Sequence, residues 1–405
     1  MKVLAIGTDR KLFQPGSAVL KRTQTYATRM EEQHIIVFTR KDVAFEVPHI
    51  ADNVFLYPTR SSSRYLYIWD AIRIGKKLFA DKVLVPNETV ITAQDPFECG
   101  LPAARIARAY DVALHVQIHT DFLNQHFVTS PLQFLRRLIA RYVLPRADAV
   151  RVVSERIADS LGRTRIHLKH RPMILPIRIN IEAIQLAVPD AASNVHMLFP
   201  QFKQIIIMAS RLSAEKRIED AFEAFVRMLS KDTLREKNVG LVIAGQGWER
   251  PRLEKEAVRL GIADKVVFLG PRNDVPQLLK SAAIFLSTSQ YEGYGMSIIE
   301  AAAAHCPIVS TDAGIASQKD GKGIIKNGVN SLICPVGDVE CLAASLERLV
   351  NSDFERRTLS DRLFADIAMT IPSESEYMES YVRNIESALQ AHAQEKAAGK
   401  QLKNI

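Results

Sequence analysis

The chain has 405 residues, 47% of them hydrophobic and 24% charged, a composition typical of folded globular proteins rather than of disordered ones. Its net charge of +8 is concentrated in residues 1–180, which hold 27 Lys and Arg against 16 Asp and Glu (+11), whereas the remainder carries −3. The basic residues stand singly between apolar ones and form no nucleic-acid motif, so we expect an anionic membrane or a phosphorylated acceptor rather than nucleic acid.

The sequence also indicates in which cellular compartment the protein lies and whether its cysteines form disulfides. No apolar run approaches the roughly 18 residues of a membrane span. Residues 1–7 enter a strand pattern directly, without a signal peptide, so we expect a cytoplasmic protein, with the inner face of the cell membrane as a further location. The cysteines show no close paired spacing, which predicts buried free thiols and neither a disulfide nor a zinc site. They are Cys99, Cys306, Cys334 and Cys341.

Short apolar runs alternate with helical patterns through the first half of the chain, which predicts a doubly wound parallel sheet. The runs are residues 2–8, 34–39, 54–57, 90–93, 113–119 and 149–153. Polar residues follow two of them, at 94–96 and 119–121, where open α/β sheets bind ligands. His119 in the second group is a candidate ligand-binding residue, and a structural histidine is the alternative.

The pattern of apolar and basic residues at 131–146 predicts a basic amphipathic helix. Its apolar residues include Phe134, Leu135 and Leu138, and its basic residues include Arg136 and Arg137. Such a helix can lie on anionic lipid. Alternatively, the apolar stripe packs on the sheet while the arginines are solvated, and the two interpretations are compatible.

Periodicity is lost at residues 178–202, which we interpret as the domain boundary. The next apolar run, 205–209, predicts a buried strand, and Arg211 and Lys216 lie between it and a helix pattern. Both cations can converge on a diphosphate there. Alternatively, they are charged surface residues that bind no ligand. Further strands are predicted at 241–244 and 266–270, and helices at 339–350, 354–367 and 373–390, followed by a frayed polar tail.

The strongest signal is the stretch 287–301, in which an apolar strand pattern ends in a glycine-rich turn before a helix pattern. Gly293 and Gly295 leave room for a ligand, and the N–H groups that open the helix are free donors at a positive dipole end. This arrangement is suited to phosphate. Glu292 and Glu300 flank the turn and can face one crevice, although a turn that merely closes a βα unit is the alternative.

The segment Glu-Gly-Tyr-Gly-Met-Ser-Ile-Ile-Glu at 292–300 resembles the signature of glycosyltransferase family 4. The resemblance covers most of the chain and implies a retaining nucleotide-sugar transferase of the GT-B fold. That fold has two Rossmann-like doubly wound parallel-sheet domains that face a central cleft, and a C-terminal helix that crosses back to the first domain. No Asp-x-Asp metal motif is present, so neither a metal nor another cofactor is expected.

The resemblance also implies roles for individual residues. Arg211 and Lys216 would hold the diphosphate, Glu292 the sugar hydroxyls and Glu300 the ribose, while His119 would lie against the donor sugar. The remaining donor-site candidates are Gly16, Gly245, Arg272, Gly293, Tyr294, Gly295 and Met296. Gly16 is a weak match because the family's paired glycines are reduced here to one, and Ser210 and Arg217 replace glycines that flank the two cations.

We therefore expect a glycosyltransferase that moves a sugar from UDP or GDP to an acceptor hydroxyl, in polysaccharide or glycolipid synthesis. The expected partners are the sugar nucleotide, a glycan or lipid-linked acceptor and an anionic membrane. The alternatives are another GT-B enzyme, such as a sugar-nucleotide epimerase or a sugar phosphorylase, and a sugar-nucleotide-binding membrane protein without turnover. The predicted domains are 1–180 (acceptor), 181–203 (linker), 204–372 (donor), 373–390 (crossing helix) and 391–405 (tail).

Overall fold

The computed structural model describes residues 1–43, 46–125, 127–128, 130–231, 234, 237–316 and 323–401, without the side chains of residues 18 and 399–401. The chain divides into two units. The first comprises Met1–Pro176 and Ser373–Ile405, and the second comprises Ile177–Pro372. The first break thus falls a few residues before the predicted one.

The first unit is built on a seven-stranded sheet, and every strand pair in it is parallel. In space the strands follow the order β3-β2-β1-β4-β5-β6-β7. The direction of winding therefore reverses between β1 and β4. The strands are β1 (Lys2–Gly7), β2 (Glu32–Val37), β3 (Val54–Pro58), β4 (Thr89–Ala93), β5 (Ala113–Ile118), β6 (Ala149–Val152) and β7 (Met173–Ile174). The two-residue edge strand β7 was not predicted.

Helices between these strands begin at hydroxyl caps that the sequence supplies. The side chains of Ser17, Ser130 and Ser154 accept hydrogen bonds from backbone N–H groups of the first helical turn that follows each of them. Pro131 occupies the first position of its helix, where its missing N–H costs nothing. The helices are α1 (Ala18–Ala27), α2 (Tyr67–Ala80), α3 (Gly100–Tyr110), α4 (Pro131–Val143) and α5 (Glu155–Gly162).

The second unit contains a six-stranded parallel sheet in the order β10-β9-β8-β11-β12-β13. Its strands are β8 (Gln204–Ala209), β9 (Val239–Ala244), β10 (Val266–Gly270), β11 (Ile284–Ser287), β12 (Ile308–Thr311) and β13 (Leu332–Cys334). Winding reverses between β8 and β11, which are neighbours at the centre of the sheet. The predicted pair of doubly wound parallel-sheet units is confirmed.

The helices of the second unit include two that were not expected. Residues 181–203, predicted as a linker, contain α6 (Ile181–Leu186) and α7 (Val195–Leu198), which pack within this unit. Short helices capped by Asn180 and Asn194 lack the length over which apolar periodicity is recognisable. The other helices are α8 (Ile218–Leu229), α9 (Arg250–Arg259), α10 (Val275–Ser281), α11 (Met296–Ala303), α12 (Val339–Asn351) and α13 (Asp353–Thr370).

The last helix, α14 (Glu374–Gln401), belongs to the first unit, although it follows the second in sequence. It is longer than predicted and includes most of the expected tail. A buried polar network attaches it to the sheet: the Arg151 guanidinium donates to the Tyr377 hydroxyl (2.8 Å), and the His115 imidazole is 2.7 Å from Asn384 Oδ1. Because buried polar groups need partners, this network fixes where α14 docks.

The cysteine prediction was wrong for two of the four residues. Cys334 at the end of β13 and Cys341 in the first turn of α12 form a disulfide. Asp338, the cap of α12, turns the chain back between them and accepts a hydrogen bond from the Cys341 N–H (2.9 Å). The tight turn brings two cysteines together that are seven residues apart. Cys99 and Cys306 are free and buried, as expected.

Candidate active site

The site in the second unit is formed by the segments that follow β8 and β11, the strands between which winding reverses. Two hydrogen bonds join these segments: Gln290 N–H donates to the Glu215 carbonyl, and the Thr288 hydroxyl donates to the Lys216 carbonyl, both at 2.8 Å. Ligands of open α/β sheets bind at such a reversal, beyond the carboxyl ends of the strands. The structure therefore brings together the two strongest sequence signals.

Lys216 and Glu292 lie at the centre of the site and form an ion pair. Their side chains are only 11% and 17% exposed, respectively. The Ser289 hydroxyl also donates to Glu292 Oε1 (2.8 Å), so two donors hold the same carboxylate oxygen. The sequence did not predict the ion pair, because nothing in it indicates contacts between residues 76 positions apart. Ser289 lies within the predicted stretch but was not identified as a partner of Glu292.

The glycine-rich turn is supported by the segment after β12. Ile315 N–H donates to the Tyr294 carbonyl (2.8 Å), and a Cβ on Gly314 would lie 2.6 Å from the Glu292 Cβ. Gly295, with φ of +96°, adopts a left-handed conformation that a side chain would strain, and α11 begins at the next residue. The turn thus holds the first N–H groups of α11 in a fixed position, where they can donate to an anion.

Glu300 lies in the second turn of α11 and is partly buried. Its carboxylate makes no hydrogen bond or ion pair with any residue that the structure describes, and burial raises its pKa. A desolvated carboxylate without a partner is costly in a folded protein. A ligand hydroxyl that donated to it would remove part of this cost.

Arg211 differs from Lys216 although the two lie in one loop. Its side chain is 77% exposed and approaches Glu215 Oε1 at 3.3 Å. The Ser213 hydroxyl donates to the same carboxylate oxygen (2.7 Å). The inner cation is therefore held in place, whereas the outer one is a surface group that can reorient.

Gly245 permits close contact between two loops. A Cβ on Gly245 would lie 1.8 Å from the Ser210 carbonyl oxygen, and one on Gly247 would lie 2.0 Å from the Leu212 carbonyl oxygen. Both positions require glycine so that the loop after β9 can pack against the loop after β8. This packing accounts for Gly245 without any ligand.

Arg272, in the loop after β10, is engaged by its own neighbourhood. Its guanidinium pairs with both carboxylate oxygens of Asp274 and donates to the Ala192 carbonyl (2.6 Å). The hydrogen bond with Asp274 raises the Arg272 pKa. A ligand in contact with this loop would meet a guanidinium that already has partners.

Two candidates lie in the first unit. Gly16 has a φ of +73° in the turn before α1, and among the described residues no atom beyond its chain neighbours lies within 4 Å of where a Cβ would be. His119 directly follows β5 and makes no hydrogen bond to a described residue. Burial, followed by the positive charges of Arg151 and Arg22, lowers its pKa to about 3, so its imidazole is neutral near pH 7.

The structure changes the interpretation of α4. Arg136 pairs with Glu98 (2.8 Å), and Arg137 donates to the Phe122 and Asn124 carbonyls, so these arginines hold α4 to the domain. Apolar residues in the first half of α4 are about half exposed, whereas Val143 near its end is buried and Arg141 is exposed, so the packed stripe with solvated arginines describes only the second half of the helix. The exposed apolar residues are Leu132, Phe134, Leu135 and Leu138.

The described residues also show whether a metal cluster or a membrane-spanning helix is present. No group of three or more His, Cys, Asp or Glu side chains is placed so that it could hold a metal ion. Within the same residues, no helix has both the length and the apolarity that a membrane crossing requires. Metal independence stays a prediction.

Two family models match the chain. "Glycosyl transferase 4-like domain" matches residues 36–171, and "Glycosyl transferases group 1" matches residues 194–362. Among curated proteins, the chain is 25% identical to alpha-monoglucosyldiacylglycerol synthase from Streptococcus pneumoniae, over 87% of this chain and 80% of that one. Matches to several other curated relatives cover less than half of their length.

Solved structures share the fold. HepE from Anabaena in complex with UDP has a TM-score of 0.72 at 18% identity and covers 96% of this chain and 100% of its own. Sucrose-phosphate synthase from Thermosynechococcus elongatus has a TM-score of 0.75 at 17% identity, with 98% and 100% covered. Both likenesses span both units.

Proposed function

This chain belongs to the group 1 glycosyltransferases of the GT-B fold, and on that basis we propose that it is a retaining enzyme using a UDP or GDP sugar. The acceptor would be a hydroxyl of a glycan or lipid, in the synthesis of a cell-surface polysaccharide or glycolipid. The synthase from S. pneumoniae is named for a glycolipid, and HepE was solved with UDP and with UDP-glucose. These names support the choice of donor and product class.

The observation that carries the proposal is the set of charges between β8 and β11. Lys216 pairs with Glu292, the opening N–H groups of α11 follow Glu292 in the chain, and Glu300 has no partner among the described residues. A nucleoside diphosphate sugar can supply an anion to these donors and a ribose hydroxyl to Glu300. The sugar hydroxyls would then lie against Glu292.

Catalysis would come mainly from stabilising the leaving diphosphate. Lys216, Arg211 and the N–H groups of Gly293–Met296 would offset the negative charge as the bond between sugar and phosphate breaks. The acceptor hydroxyl would attack the oxocarbenium-like sugar from the face that the diphosphate leaves. His119, which is neutral, would lie against the donor sugar as a hydrogen-bonding group.

A transfer assay tests this function. The protein is incubated with UDP-glucose, UDP-N-acetylglucosamine or GDP-mannose and with lipid or oligosaccharide acceptors, in the presence and absence of EDTA. We expect an α-linked product from an α-linked donor by NMR, and equal rates with EDTA. Inversion of the anomeric carbon would refute retention, and loss of activity in EDTA would refute metal independence. An epimerised nucleotide sugar, or turnover that requires free phosphate, would favour the alternative GT-B enzymes.

We also propose that the first unit contacts an anionic membrane through the starts of α2 and α4. Both helices follow parallel strands, so both begin at the carboxyl edge of the sheet, and α3 packs against each of them. Trp69 is 65% exposed at the start of α2, close to the exposed Tyr65. These residues and the exposed apolar residues of α4 are the apolar and aromatic groups that would enter the membrane interface.

A further inference from the structure

The disulfide between Cys334 and Cys341 closes a short loop in the unit that carries the candidate site. Cys334 ends β13, Cys341 lies in the first turn of α12, and residues 335–340 form the turn between them. Cys334 is buried, whereas Cys341 is partly exposed. Solvent thus reaches one of the two cysteines, and a reductant needs such access in order to attack the bond.

The disulfide loop contacts the segment that carries Lys216. Gly337, in the middle of the loop, has a φ of +84°, and a Cβ added to it would lie 3.4 Å from Arg217 Nη2. Arg217 directly follows Lys216, and its guanidinium pairs with Asp220 in the first turn of α8. The loop therefore packs against the residue next to the inner cation of the site.

The first cysteine is joined to the segment that holds the other side of the site. The Cys334 carbonyl accepts a hydrogen bond from Asp312 N–H (2.8 Å), just after β12. The hydroxyl of the preceding residue, Thr311, donates to the Ser289 carbonyl (2.6 Å). Ser289 in turn donates to Glu292. Short chains of direct contacts therefore connect the disulfide loop to both partners of the central ion pair.

We propose that this disulfide is a redox switch of donor binding, and that its reduction weakens binding of the nucleotide. The inference rests on the proposed function, because the ligand concerned is the nucleoside diphosphate. In the oxidised protein, the cross-link limits the conformations of residues 335–340, so Arg217 and Asp312 stay in place. In the reduced protein, the loop gains freedom that a bound ligand has to remove again, which costs affinity.

Reduction requires a dithiol, for which a protein of the thioredoxin type is suited. One thiolate attacks the Cys341 sulfur, the bond to Cys334 breaks, and the Cys334 sulfur leaves as a thiolate that takes up a proton. The second thiol of the reductant then attacks the mixed disulfide, which releases Cys341 as a thiol and leaves the reductant oxidised. Disulfides of cytosolic proteins are usually reversible in this way, and the sequence predicts that compartment.

Calorimetry on the two redox forms provides the first test. UDP or GDP is titrated into protein treated with oxidised dithiothreitol and into protein treated with dithiothreitol. We expect about tenfold weaker binding to the reduced form. Cys341→Ser should bind as weakly in either buffer, whereas Cys306→Ser, which keeps the disulfide, should respond like the wild type. Equal affinities in the oxidised and reduced wild type, a comparison that needs no substitution, would overturn the proposal.

The reduction potential of the disulfide is a second readout, which a purely structural cross-link would not change. Because binding and reduction are linked, saturating nucleotide must oppose reduction by the factor by which reduction weakens binding. A tenfold effect corresponds to a potential about 30 mV more negative for this two-electron couple. Alkylation and mass spectrometry in mixtures of reduced and oxidised dithiothreitol measure the potential. An unchanged potential would overturn the switch, whereas failure of UDP and GDP to bind either redox form would refute the proposed function itself.

Discussion

Replacing each of the two carboxylates beside the turn by its amide should change stability in opposite directions. Glu300 is partly buried without a described partner and has a raised pKa, so its charge opposes folding. When the pKa of a carboxyl is raised by folding, the protein loses stability as the pH rises above about 4.3, the pKa of a glutamate side chain in an unfolded chain. Glu300→Gln removes that loss, and we expect a higher Tm for this variant at pH 7 in the absence of ligand.

Glu292 has the opposite environment, because Lys216 and Ser289 both hold its carboxylate. Removing one partner of a fully buried ion pair costs about 3–5 kcal/mol. Solvent still reaches both side chains here, so we expect a loss of about 1–2 kcal/mol for Glu292→Gln. The two Glu→Gln variants have identical chemistry and serve as matched controls for each other.

Ligand binding should follow a different pattern. Glu300→Gln removes a charged acceptor from the ribose, which should weaken UDP or GDP by about 1.5–3 kcal/mol, roughly 10- to 150-fold. Glu292→Gln should keep most of this affinity and lose transfer, because its proposed partners are sugar hydroxyls and a positively charged transition state.

Three measurements on both variants test this reasoning: thermal unfolding without ligand, calorimetric titration of the diphosphate, and turnover. A lower Tm in Glu300→Gln would show that its carboxylate has a stabilising contact in the protein. Full turnover in Glu292→Gln would refute its catalytic role. Weakened diphosphate binding in Glu292→Gln, together with normal binding in Glu300→Gln, would show that the two roles are reversed.

Other predictions concern the cations, the membrane surface and the thiols. Lys216→Met should weaken diphosphate binding more than Arg211→Met, because the exposed arginine is more strongly screened by water; equal calorimetric affinities in both variants and the wild type would remove both cations from the site. Leu135→Glu should reduce sedimentation with vesicles that contain anionic lipid, and undiminished sedimentation would exclude this face of α4. Alkylation of the unfolded, unreduced protein should modify two thiols and leave Cys334 and Cys341 unmodified, whereas four modified thiols by mass spectrometry would contradict the disulfide.

The central part of the site could be predicted from sequence because it is encoded locally. In the segment 284–303, the buried strand, the glycine turn and the helix formers all indicate the same strand–turn–helix unit. The helix N-terminus and both carboxylates follow from that unit and its spacing. The same holds for the loop between β8 and α8, which carries Arg211 and Lys216.

The features that could not be predicted depend on contacts between distant segments. Periodicity showed that α4 is amphipathic but not which side is covered, since that depends on Glu98 and on the carbonyls of Phe122 and Asn124. The extension of α14 beyond residue 390 is accompanied by ion pairs with distant residues, such as that of Glu395 with Lys169, 226 positions away. Neither contact leaves a local pattern in the sequence.

The ion pairs of the ligand-free site show how it can accept a diphosphate without losing its order. The exposed pair of Arg211 with Glu215 contributes about 0–1 kcal/mol, so the arginine can exchange that carboxylate for phosphate at little cost. Lys216 need not exchange its partner, because an ammonium group has three donors and only one is required for Glu292. The lysine can therefore hold the phosphate and the carboxylate together, which would keep Glu292 in place beside the sugar while the diphosphate leaves.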